Sequence, residues 1–420
     1  MSSIFEGFLA NSEILEAFSE QHFVAAMLRF EAALARAQAK AGLIPQAAAQ
    51  SIVGTCKVEL FDVAKIVRES GRAGSIAIPL VKSLKETVGI FNREAAGFVH
   101  HGATSQDVID TALVLLTRDA LGLIEADVHK AISVLLALAG RHADDPVLAR
   151  TLMQPASVTS FGLKCAGWAA PLVRSLQRLQ VSRGQALSLQ LGGAVGTLAE
   201  MKDKAGEVVA LMADDLQLKA PLVCWHTQRD EWVALGCELG LLVGSLGKVA
   251  RDISLMSQYE VGELAEPSEA GRGGSTAMLH KRNPVACMVT LAAAQRAPQR
   301  VAALLAAMPQ EHERALGHWQ AELAEWPGLV MSVHGAARAM AQAVPGLQVN
   351  TQRMRVNLEA VRTAVPPQTA DEWFSAALAQ PAAQLARAQV QALTVAMDGL
   401  ARVAAAKGLG QPRSAFQETP

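Results

Sequence analysis

Fifteen residues, GRGGSTAMLHKRNPV from Gly271 to Val285, gather three glycines with Ser275, Thr276, His280, Lys281, Arg282 and Asn283. Backbone freedom, hydroxyls and positive charge in one short stretch are what holding and transforming an anion requires. The spacing is not that of a phosphate-binding GxxxxGK[ST] loop, and no strand pattern precedes it. His280 has no second ligand four residues on, so a metal site is not indicated. The stretch reads as a flap between two helices, with Asn283 capping the second and Pro284 as its first residue. A solvated basic loop is the plain alternative.

The elements that must position this loop carry helical periodicity. Phe23, Met27, Phe30 and Leu34 mark one helical face, with Ser19 as its cap and Gly42 and Pro45 beyond its end. From Asp110 to His142 no proline intervenes, and Leu113, Leu116, Ala120, Ile124, Val128, Ala131, Leu135 and Leu138 form a stripe. Leu115, Leu121, Leu123, Ile132, Val134 and Leu136 add apolar surface on other sides, which predicts a helix buried by several neighbours. A further helix is expected from Asp230 to about Gln258, where Gly236, Gly240 and Gly244 suggest close helix approach. The alanine-rich stretch after the loop is punctuated by Pro298 and Pro309. Alternating strand patterns are nearly absent. The expectation is an all-α protein with an N-terminal helical unit over 1–110, long bundle helices over 111–365 and a short helical tail over 366–420.

The 420 residues are 51% hydrophobic, enough for a large interior and for burial between subunits. Lys plus Arg (38) balances Asp plus Glu (39), which argues against a nucleic-acid partner, as do aromatics at 4%. The five cysteines are dispersed, with no CxxC pair, and suit reduced thiols in the cytoplasm rather than a disulfide framework. The N-terminus has no basic segment of a signal peptide, and no uninterrupted apolar run is long enough for a membrane span.

Three segments in order carry a family resemblance. GSTAMLHKRNP is similar to the GSSxMPxKxN signature of the fumarase/aspartase superfamily, VHHGATSQDVIDT to its TSxD segment, and ARTLMQPASVTSFG to its RTHxQ segment. IPLVKSL, SLQLGGAVGTLAE, WHTQRDEW and EHERALGHWQAELAEWP extend the likeness over most of residues 1–360. The resemblance implies a homotetramer with joint central helices, and active sites assembled from segments of different subunits. It implies a small polycarboxylate substrate and no metal or organic cofactor, because cations and helix ends can stabilise the enediolate-like intermediate.

The departures narrow the reaction. Where most of the superfamily has the histidine of RTH, this chain has Leu152. A departing amine or hydroxide needs a proton donor, whereas a carboxylate departs or attacks already ionised. Losing the histidine therefore favours the superfamily's lactone-forming cycloisomerases, in which one substrate carboxylate adds across a double bond of the same molecule. Met288 stands where adenylosuccinate lyases have a glutamate, and Glu313-Arg314 lacks their following serine-rich stretch. A diene with another substituent, such as a sulfo group, a fumarate-releasing lyase and a silent scaffold remain the alternatives. Thr276 and Leu279, which depart from the signature, keep them open.

By the resemblance, Lys281 and Asn283 bind a substrate carboxylate, and Ser275 is the loop hydroxyl that moves the carbon-bound proton. Which of Ser275, Lys281 or a water does so here stays open. Arg314 is a candidate for a second carboxylate, the alternative being a salt bridge with Glu311 or Glu313. Thr104 and Ser105 are expected to hold a carboxylate at a helix start, with Asp107 and Asp110 structural. His100, His101, His280, Arg150 and Gln154 are expected around the site. Arg229, with His226 and Gln228, either reaches the site or holds helices together. Trp319 shapes the pocket or belongs to the core.

Overall fold

The structure is a computed structural model that describes residues 7–269, 271–274, 278 and 281–406. The first long helix, α1 (Glu20–Lys40), begins where expected: the Ser19 hydroxyl accepts from the His22 N–H at 3.2 Å. Met27, Phe30 and Leu34 of its stripe are buried, and the chain turns away at Gly42, whose φ is 77°. Five long helices follow: α2 (Ser105–Arg141), α3 (Phe161–Ala186), α4 (Asp230–Met256), α5 (Val285–Ala306) and α6 (His318–Ala343). Beyond them lie α7 (Thr351–Ala364) and α8 (Ala379–Ala406). The protein is all-α apart from two short antiparallel pairs among the described residues.

The 37 residues of α2 span roughly 55 Å at 1.5 Å per residue. The helix starts at Ser105, before the expected Asp110, because the Asp107 carboxylate turns back to accept from the Thr104 N–H at 3.0 Å. Residues 106–117 are buried on every side, as the apolar residues off the stripe require. Further on, Leu123, Val134 and Leu136 are half-buried, so the second part of α2 is one-sided.

Contacts divide the chain into two compact units. One comprises residues up to 121, 180–237 and 299–331; the other comprises 122–179, 238–298 and 332 onward. Each of the five long helices gives residues to both. In the first unit, Trp232 stacks on Trp326 with ring centroids 3.8 Å apart, and Trp326 Nε1 donates to Thr117 Oγ1 at 2.8 Å. Gly236 of α4 leaves room for Leu304 and Trp326, which a Cβ would strike. In the second unit, Phe161 meets Trp168 edge to face, and Trp168 Nε1 donates to Asp252 Oδ2 at 2.7 Å.

Four expectations need correction. The glycine series of α4 is not one packing stripe: Gly244 faces open space, and Gly247, outside the series, closes on Ala294. Pro298 does not punctuate α5, which runs through it; the ring sits on an exposed face while Ala293, Ala297 and Leu304 hold the buried one. By length and composition α4 would suffice to cross a membrane, yet Leu235, Leu239, Leu242, Val243 and Leu246 are buried in this protein. The fourth is a hairpin in the RTLMQ segment, where no strands were expected. β1 (Pro146–Thr151) pairs antiparallel with β2 (Gln154–Ser160), and an irregularity between Ala149 and Arg150 breaks the alternation that would have signalled it. Leu152 and Met153 form its two-residue turn at φ 48° and 67°, left-handed values favoured by glycine and asparagine. A shorter pair joins β3 (Leu264–Ala265) to β4 (Gln348–Val349).

Candidate active site

The first unit contains a buried polar construction built on the first turns of α2. The Asp107 carboxylate is fully buried and accepts from four donors. These are Thr104 N at 3.0 Å, Gly192 N and Gly193 N at 2.9 Å each, and His226 Nε2 at 2.7 Å. A single side chain therefore ties the helix start to the 192–193 turn and to the segment before α4. Asp107 is structural, as expected.

Arg314 reaches this construction from the segment before α6. Its Nη2 donates to Thr104 Oγ1 at 2.5 Å and to the carbonyls of Gly193 and Ala194 at 3.2 and 3.3 Å. Neither Glu311 nor Glu313 pairs with it. Glu311 instead lies 3.3 Å from His318 and accepts from Leu316 N. No carboxylate among the described residues forms an ion pair with Arg314, and its Nε is buried without a hydrogen-bond partner. A guanidinium held by neutral oxygens beside a helix N-terminus keeps its positive charge uncompensated, which suits a nearby anion. Ser105 is the first residue of that helix, half-buried.

His100 sits just before this turn at φ 61° and pairs through Nδ1 with Glu31 Oε1 at 2.6 Å. Burial pushes its pKa down, but the Glu31 carboxylate beside it outweighs that and raises it overall. His101 lies 3.6 Å from Glu200, and its carbonyl accepts from Gln38 Nε2 at 2.7 Å. Glu31 was missed in sequence; its signal was an acid amid the buried residues of α1, where an unpaired charge would be costly.

Arg229 is wholly buried. Its guanidinium donates to Asp110 Oδ2 at 2.8 Å and also binds Glu322, while Trp319 Nε1 donates to Asp110 Oδ1 at 2.9 Å. Asp110 also accepts from Gln106 and Gln190. Arg229 and Trp319 thus meet at one buried carboxylate. Of the two readings offered for Arg229, this geometry gives the one in which it holds helices together.

His226 has a pH consequence. Burial lowers its pKa, but the hydrogen bond to Asp107 and the neighbouring Cys224 overcome this and raise it to about 9. A histidine whose folded value lies above its unfolded value of 6.5 stabilises the fold fully below pH 6.5 and loses that contribution as pH rises through about 9. The contribution is on the order of 3 kcal/mol. Denaturant midpoints should fall between those pH values, and His226→Gln should flatten the fall. A wild-type midpoint that holds constant over this window would contradict the pairing.

In the second unit, Arg150 at the end of β1 forms a two-pronged pair with the buried Glu263, at 3.0 and 2.7 Å, and Asn357 Nδ2 also donates to Glu263 at 2.8 Å. Gln154 is exposed at the start of β2, across from Thr151. In the glycine-rich loop, Asn283 N donates to Gly273 O at 2.8 Å, and Gly273, at φ 70°, has no room for a Cβ beside the Asn283 carbonyl. Lys281 is exposed and forms no ion pair among the described residues. Ser275, Thr276, Leu279 and His280 lie outside the described residues. The capping expected of Asn283 falls elsewhere: α5 starts at Val285, and the Glu266 carboxylate accepts from Ala286 N at 3.0 Å and Cys287 N at 2.8 Å. An acid nineteen places upstream of the helix leaves no local pattern to read.

The long-helix fold that carries these residues is that of a known class. The family described as Lyase matches residues 9–298, and the chain belongs to it, within the fumarase/aspartase superfamily. Its relatives include the 3-carboxy-cis,cis-muconate cycloisomerase of Pseudomonas aeruginosa, 46% identical over 357 residues that cover 85% of this chain and 78% of that protein. The crystal structure of 3-carboxy-cis,cis-muconate lactonizing enzyme from Pseudomonas putida matches at TM-score 0.81 and 40% identity, over 98% of this chain and 97% of that one. The crystal structure of β-carboxy-cis,cis-muconate cycloisomerase from Acinetobacter calcoaceticus matches at TM-score 0.81 and 33% identity, over 98% and 96%.

Proposed function

We propose that this protein closes 3-carboxy-cis,cis-muconate to a carboxymuconolactone, a cofactor-free step of aromatic catabolism. The kinship with cycloisomerases at 46% identity supports the reaction, and Arg314, a guanidinium at the start of α2 without a carboxylate partner among the described residues, carries the site. One substrate carboxylate attacks the neighbouring double bond, so a C–O bond forms and the π pair moves toward a second carboxylate. The resulting aci-carboxylate is protonated at carbon. Nothing leaves, and the reverse reaction expels a carboxylate that is ionised already. Leu152, 96% exposed on the hairpin turn, is compatible with this chemistry, which asks no acid of that position.

Arg314 and Thr104 receive one substrate carboxylate, with N–H groups of the first turn from Ser105 supporting its charge. Lys281 and Asn283 bind another from the glycine-rich loop, and Ser275 moves the carbon-bound proton. His100, His101, His280, Arg150, Gln154, Arg229 and Trp319 shape or support the site around them. The working form is a homotetramer in the cytoplasm, with sites completed by neighbouring subunits. Exposed Leu241 on α4 and Met288 and Leu305 on α5 support this, since apolar side chains at about half exposure along long helices favour a covering partner. Light scattering should give a mass near four times the 44.3 kDa chain, and a monomer would overturn the assembly.

The reaction itself is tested with purified protein in chelator-containing buffer mixed with 3-carboxy-cis,cis-muconate. The diene's ultraviolet absorbance should decay and NMR should show a γ-lactone. An unchanged diene in the presence of folded protein would sink the assignment.

A further inference from the structure

The Asp107 construction has a side that lactone formation does not use. His226 is 2% exposed, and while its Nε2 is spent on Asp107, its Nδ1 is buried with no hydrogen-bond partner among the described residues. The Cys224 thiol lies against that ring: a Cβ added to Gly192 would collide with both Cys224 Sγ and His226 Cε1. The thiol's other polar neighbour is Gln190 Oε1 at 3.6 Å. Cys224 is half-buried and lines an open pocket of about 390 Å³ whose walls include Leu191, Leu198, Val209, Pro221 and Leu222 and no charged residue.

We propose that Cys224 is a nucleophilic modification site for small, uncharged α,β-unsaturated carbonyl compounds, served by His226 and Asp107. The apolar pocket selects the uncharged electrophile, and the protonated His226 ring held by Asp107 favours the thiolate that conjugate addition needs. The thiol gives its proton to water, Sγ bonds to the β-carbon, and the π pair shifts to the α-carbon. The α-carbon takes a proton back from water, so S–H adds across the double bond and no other reactant is needed. The adduct would press on Gly192, and through the 192–193 turn on the Gly193 carbonyl that holds Arg314.

Three of the other cysteines are poor competitors. Cys165 and Cys287 are buried, and burial pushes the thiols of Cys56, Cys165 and Cys287 up. The test treats native full-length protein with N-ethylmaleimide at neutral pH and maps the labelled peptides by mass spectrometry. Cys224 should react about tenfold faster than free glutathione, and before Cys56 and Cys237. Labelling at or below the glutathione rate, or first at another cysteine, would overturn the proposal. Folded His226→Gln should bring Cys224 down to the glutathione rate; an unchanged rate would remove the imidazole's role. If that variant unfolds, the wild-type comparison still decides. Loss of lactone formation on labelling, prevented in Cys224→Ala, tests only the coupling to Arg314 and rests on the proposed function, whereas the labelling rate does not.

Discussion

Arg314→Ala should lower kcat/KM for lactone formation by about 10²–10³-fold, the cost of removing one preorganised donor to a developing anionic charge. The loss follows from the geometry of a side chain with no ion pair among the described residues to give up. Among the described residues its Nη2 donates to a hydroxyl and two carbonyls, and its Nε has no partner. Thermal stability should therefore change little, and the variant should keep the wild-type oligomeric state. Arg314→Lys should recover only part of the rate, since an ammonium lacks the planar fork that matches a carboxylate. Steady-state kinetics alongside a melting curve separates the outcomes. Near-normal turnover in Arg314→Ala would show that the substrate's carboxylates bind elsewhere.

Arg229→Met should behave in the opposite way, with stability the first casualty. Its guanidinium lies between the buried carboxylates of Asp110 and Glu322, and its removal leaves both without a counter-charge. Breaking a buried pair from one side costs about 3–5 kcal/mol. Burial already raises the Glu322 pKa and Arg229 opposes that rise, so losing Arg229 should push it further up. Adding Glu322→Leu should restore part of the loss, because it removes the stranded charge together with the need for its partner. Denaturant titration measures both steps. A single variant as stable as wild type would mean that the two acids find other donors, of which Asp110 has Trp319, Gln106 and Gln190.

What could be read ahead of the structure was whatever the chain writes locally. The Ser19 cap and the stripe of α1 are one-helix patterns, and the many-sided apolar character of α2 is visible as residues off a single stripe. The four consecutive helix-start residues Thr104 to Asp107 announced a polar turn, and the structure adds Arg314 to it from more than two hundred residues away. Long-range partners were not readable. Glu31 for His100, Glu263 for Arg150 and Glu266 for α5 are each an ordinary glutamate until the fold brings it to its partner. Periodicity also misled: the spacing of glycines in α4 has the right interval for a packing stripe, but what each faces is decided by the neighbouring helices.

The hairpin turn at Leu152 and Met153 bears on how this region can drift. Both residues hold left-handed backbone, and both side chains are largely in solvent, 96% and 69% exposed. Neither burial within one chain nor, under the proposed reaction, proton transfer constrains their chemistry, so conformation is the constraint that the chain itself imposes. A library randomised at these two positions and selected for heat resistance should therefore converge on asparagine, aspartate and glycine, with lactone formation largely indifferent to the choice. Such a pair would be a place to insert a label or a tether, since the backbone asks only for residues that turn left.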